Sequence, residues 1–95
     1  MNLFAVEYVY DQARTADIDA LRPQHLEFLR QLHEDGRVVA AGRWQDAATP
    51  GALLLVHGQD HDDVLHLLDG DPFHRAHLVV RRTARPWQPA VGSLG

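Results

Sequence analysis

Four short apolar runs surround two stretches of helical spacing, and their order leaves few folds open. "LFAVEYVY" (3–10) is rich in aromatic and β-branched residues, the composition of a strand. Residues 11–20 form a polar connection, followed by a helix over about 20–35, in which Leu21, Phe28, Leu29 and Leu32 recur at helical spacing. Pro23 fits the first turn of that helix, where a missing N–H costs nothing, and Gly36 fits its C-terminal cap. "RVVAAGRWQD" (37–46) and "ALLLVHG" (52–58) read as strands joined by a turn at "AATPG" (47–51). "DHDDVLHLLDG" (60–70) reads as a second helix, N-capped by Asp60 and closed by Gly70. Asp71 and Pro72 open one extra helical turn over 71–76, and "HLVVRRTARPW" (77–87) is a fourth strand.

The order β-α-β-β-α-β predicts an α+β, ferredoxin-like sheet with both helices on one face. One domain is expected over 1–95, with a core over 2–88 and a tail over 89–95. The other sheet face, expected to carry Phe4 and Trp44 and part of the "LLLV" run, is too apolar to stay wet. A second copy of the chain is the expected cover, giving a homodimer paired through the sheets. Tyr8 and Tyr10 are expected in the core or this interface, Trp44 and Trp87 in the interface and in packing, and Arg81, Arg82 and Arg85 on a solvated or dimer-lining face.

Composition narrows the chemistry. There is no Cys, which excludes thiolate catalysis and Cys-based metal sites. The basic residues are all Arg, which excludes Schiff-base chemistry and a phosphate-loop lysine. The sole serine, Ser93, lies near the end of the chain. His, Asp, Glu, Tyr and Arg remain, a set suited to proton transfer or anion binding. A net charge of −4 gives no reason to expect nucleic acid as a partner. No apolar run approaches a membrane span, and the start lacks the marks of a signal peptide, so no membrane partner and a cytoplasmic location are expected.

His25 is the residue out of place. At about 100° per residue it falls inside the arc of Leu21, Phe28, Leu29 and Leu32, so its ring points at the sheet. Two roles fit: a core histidine bonded to a backbone carbonyl, or a proton-transfer group. Placed in a first turn beside Pro23, the ring would be held neutral by the positive end of the helix dipole. Asp71, following the second helix, is placed to return toward the same helix and orient the ring. An Asp-Pro helix start is also a sufficient reason for Asp71 by itself, as an N-cap. Arg22 lies just outside the apolar arc and is a candidate for holding a substrate oxygen. The seven histidines include the spacings His57/His61 and His74/His77, but no acidic residue completes a ligand set, so neither metal nor cofactor is expected.

"RPQHLEFL…GRVVAAG" followed by "DGDPF" and "RPW" resembles the YciI-like (YCII-related) proteins. The residues carrying the resemblance are Arg22, Pro23, His25, Leu26, Gly42, Asp71, Pro72, Phe73, Pro86 and Trp87. The resemblance implies a dimeric α+β barrel and a His–Asp active site at His25 and Asp71. It implies lyase- or isomerase-type proton transfer, or elimination, on a small cyclic or enolisable molecule. The alternative is a non-catalytic ligand-binding or interaction module with a vestigial pocket. Family members commonly carry a small residue, often Gly, a few positions after the Asp-Pro-aromatic turn. His77 stands there, which makes it a further candidate pocket residue.

Overall fold

A computed structural model of the chain describes residues 1–46 and 48–94. Four strands, β1 (Asn2–Tyr10), β2 (Val38–Arg43), β3 (Gly51–Gly58) and β4 (Val79–Pro86), form one antiparallel sheet in the order β2-β3-β1-β4. The helices are α1 (Thr15–Glu34), α2 (His61–Leu68) and α3 (Pro72–Arg75). This is the ferredoxin-like arrangement, with the first strand central and paired to both β3 and β4. The turn expected over 47–51 includes Ala47, which lies outside the described residues. Among the described residues no helix is long and apolar enough to cross a membrane.

Period-two alternation decides the sheet's faces. Phe4, Val6, Tyr8 and Tyr10 are all buried, and β3 adds Ala52, Leu54 and Val56 on the same side. Helix α1 covers that side with Ile18, His25, Leu29 and Leu32, and α2 with Val64 and Leu68. Phe4 therefore belongs to the core of the single chain, not to an open face awaiting a second copy. The opposite face carries Leu3, Ala5, Glu7 and Val9 of β1 beside Leu53 and Leu55, with Leu53 exposed. Arg82 is on the helix side, where its guanidinium bonds the Leu65 carbonyl at 3.3 Å and Asp69 at 2.8 Å, tying β4 to the end of α2.

Two boundaries differ from the sequence expectation for physical reasons. Helix α1 starts at Thr15, after a turn of 3-10 helix at Gln12–Arg14 that Asp11 caps through the Ala13 N–H at 2.9 Å. Pro23 is consequently inside the helix, where it deprives the Asp19 carbonyl of its helical donor. Asp19 is exposed, so water can take that role. The apolar face extends backward through Ile18, a spacing that outweighs the proline as a start signal. Gly70 does not close α2 with a left-handed turn; Asp69 is the C-cap, and Gly70 is small because a Cβ there would sit 3.0 Å from the Phe28 ring. Gly36 does adopt φ 81°, as expected of a residue just past a helix end.

Candidate functional site

Asp71 is the centre of the site. Its backbone is extended, its carboxylate accepts the Phe73 N–H at 2.9 Å, and Pro72 occupies the first helical position, so it caps α3 as its sequence context predicts. The same carboxylate is fully buried and accepts two further bonds. The Tyr8 hydroxyl donates to Oδ2 at 3.0 Å. His25 Nδ1 lies 2.8 Å from Oδ1 and 3.0 Å from Oδ2. A carboxylate surrounded by three donors is the arrangement that makes burying its charge tolerable.

The contact with a buried carboxylate fixes the histidine's tautomer. Nδ1 carries a proton and donates it to Asp71, which leaves Nε2 as the ring nitrogen available for chemistry. Among the described residues no buried side-chain nitrogen or oxygen lacks a partner, and Nε2 has none, so Nε2 is the atom that reaches open space. Phe73 stacks on the imidazole with centroids 4.0 Å apart and planes 5° apart, and Tyr10 meets Phe73 edge-on at 5.4 Å. The ring is therefore held by a bond at one edge and a flat surface on one face.

His25 is the eleventh residue of α1, well beyond its first turn, so the dipole argument for a neutral ring does not apply. What orients the ring is the carboxylate. Burial, with the charge and hydrogen bond of Asp71, pushes the Tyr8 hydroxyl far above the usual phenol range. Burial, with the Asp71 charge, also raises Tyr10, against the opposing pull of Arg22 and Arg43, to about 12. Both phenols remain hydrogen-bond donors at neutral pH.

One side of His25 borders a cavity of about 530 Å³ between α1 and the β2–β3 edge of the sheet. That volume suits a small organic molecule. Leu26, Leu29, Ala52 and Leu54 supply its apolar surface, and Tyr10, Arg22, Arg30, His33 and Arg43 its polar one. Arg22 lines the cavity as proposed from sequence, but its guanidinium is already bonded to Asp19 at 2.7 Å. His77 does not line it. That residue is exposed, in a left-handed conformation (φ 59°) between α3 and β4. A glycine would meet that backbone without strain. Gly42 lies within β2 and borders the cavity. Among the described residues no three of His, Cys, Asp and Glu gather as metal ligands.

Tyr8, Tyr10, His33 and Arg43 were not singled out for the site by the sequence. Alternation along β1 put both tyrosines on the face of Phe4. The link to Asp71 required knowing which face the helices cover.

The family model of the YCII-related domain matches residues 3–88. No curated protein matches the chain. Among solved structures, the chain is similar to the 5-chloro-2-hydroxyhydroquinone dehydrochlorinase of Burkholderia phenoliruptrix AC1100, determined in complex with 2,5-dihydroxybenzoquinone. The TM-score is 0.78 at 19% identity, covering 90% of this chain and 93% of that one, a likeness of fold.

Proposed function

The chain belongs to the family of YCII-related domains, and on that premise we propose that it is a small-molecule enzyme in which His25 and Asp71 work together as a general acid and base. The observation that carries this reading is the bond from His25 Nδ1 to both oxygens of the buried Asp71, at 2.8 and 3.0 Å, beside a cavity. Nε2 takes a proton from a C–H or O–H of the substrate, and the carboxylate stabilises the imidazolium that forms. The electron pair left behind enters the substrate's enol or ring system. It then either accepts the proton at another carbon, an isomerisation, or expels a leaving group from a neighbouring carbon, an elimination. Arg22, which lines the cavity and is bonded to Asp19, would hold a developing oxyanion by exchanging that partner.

A small cyclic or enolisable substrate is the best fit. The cavity volume accommodates one ring with substituents, and the dehydrochlorinase of similar fold acts on a substituted hydroquinone. Homodimerisation through the open sheet face belongs to the same reading. Leu53, Val9 and Leu55 make that face apolar, and apolar sheet surface of this kind is usually covered.

The test does not need the natural substrate. The protein should catalyse exchange of ring C–H protons for deuterium in an enolisable cyclic diketone such as 2,5-dihydroxybenzoquinone, followed by NMR. His25→Ala should retain the fold by circular dichroism and lose this exchange by about 10²–10⁴-fold. Full exchange in the folded variant would leave a ligand-binding module in place of an enzyme.

A further inference from the structure

The charge on the cavity wall is opposite to that of the chain. The protein carries a net charge of −4, yet Arg22, Arg30 and Arg43 line the cavity and no Asp or Glu does. The three guanidiniums are not equivalent. Arg22 is neutralised by Asp19 at 2.7 Å, and Arg30 has Glu27 at 3.8 Å. Arg43, in the last position of the edge strand β2, pairs with Ala52 through its backbone, while its guanidinium makes no ion pair or hydrogen bond among the described residues. It also borders a smaller cavity of about 280 Å³ whose wall includes Asp19 and Asp46, so the acid-free surface beside Arg43 is that of the main cavity. The positive charge of Arg43, with that of Arg22, is felt at the Tyr10 hydroxyl.

From this arrangement we infer that the substrate is an organic anion whose ionised oxygens are held by Arg43 while the reacting carbon faces His25. Arg43 is a specificity residue here. An unneutralised guanidinium offers two parallel N–H donors to a carboxylate or enolate, a geometry that a neutral amide or ester matches poorly. The inference rests on the reading of this cavity as the substrate site and narrows it to a charge class.

Calorimetric titration of the full-length protein with 2,5-dihydroxybenzoate and with 2,5-dihydroxybenzamide tests it, because the two differ only in the ionised group. The benzoate should bind roughly tenfold more tightly, the worth of one charge-assisted hydrogen-bonded pair at an open site. The preference should shrink with added salt. Arg43→Gln should abolish it while leaving benzamide affinity unchanged. Equal affinities in the wild type, or no binding of the benzoate at millimolar concentration, overturn the inference. His25→Gln separates it from the acid–base reading, since that variant should lose proton exchange and keep the preference for the anion. A wild type that exchanges protons without preferring the anion loses this inference alone. A wild type that prefers the anion without exchanging protons loses the acid–base reading alone.

Discussion

Phe73 holds His25 twice. Its ring lies on the imidazole at 4.0 Å, and its backbone N–H bonds the carboxylate oxygen that also holds Nδ1. The two contacts separate by mutation. Phe73→Leu keeps the backbone bond and removes the flat surface, so the ring can rotate about its remaining tether. Proton exchange should fall about tenfold, and stability by about 1–2 kcal/mol for a buried aromatic made smaller. Exchange rates and denaturant midpoints on the same preparation measure both.

Asp71→Asn should cost far more activity than stability. An amide oxygen in place of Oδ1 can still accept the Phe73 N–H, but the NH₂ group in place of Oδ2 then lies 3.0 Å from Nδ1, where it opposes Nδ1–H and favours the tautomer protonated at Nε2. The base is lost with the geometry intact. Exchange should drop about 10²–10⁴-fold, against a stability loss of about 1–3 kcal/mol. Nitrogen NMR of the imidazole reports the tautomer directly, and an unchanged Nδ1–H signal would remove this explanation.

Alkaline stability should be set in part by the two buried tyrosines. Burial holds both phenols protonated in the fold, Tyr10 up to about 12. In the unfolded chain they ionise near pH ~10. Above that pH the unfolded state binds fewer protons than the fold, so stability falls as pH rises. Below it their contribution is fully present. Tyr10→Phe should flatten the decline between about pH 10 and 12 and leave the acid limb unchanged, measured by urea midpoints across pH.

His77→Gly should stabilise the protein. A non-glycine residue in the left-handed region costs about 1–2 kcal/mol, and the extra freedom of unfolded glycine returns about 0.5–1 kcal/mol of that. The net gain of roughly 0.5–1 kcal/mol should raise Tm by a few degrees in a domain of this size. A lowered Tm would mean that the His77 side chain makes a stabilising contact that outweighs its backbone strain.

Leu53→Asp should yield monomers by sedimentation velocity if a second copy covers the open sheet face. An aspartate there would have to be desolvated at the centre of the pairing surface. A dimer of undiminished affinity would place the contact elsewhere.

The architecture was legible because each level of the sequence agreed with it. Alternation in β1, apolar runs in β3 and the order of elements all pointed to the sheet observed. The inward phase of His25 was legible too, since Leu29 and Leu32 share its face. The start of α1 was not. Pro23 is a strong local signal for a first turn, and tertiary burial of Ile18 overrode it. The tyrosine at the back of Asp71 was not legible either. Tyr8 and Asp71 are 63 positions apart, and only the packing of helices onto one face of β1 makes them neighbours. Arg43 shows the same limit, because its importance depends on which other arginines find partners.

The carboxylate of Asp71 starts a helix as well as holding the histidine, and the two duties are unequal in what depends on them. A lineage released from selection for proton transfer could replace His25 and still leave Tyr8 and the Phe73 amide to occupy the carboxylate. It could not replace Asp71 without also loosening the start of α3 and leaving the Tyr8 hydroxyl unpartnered. Inactive descendants of such a protein should therefore be recognisable by an aspartate that has outlived its histidine.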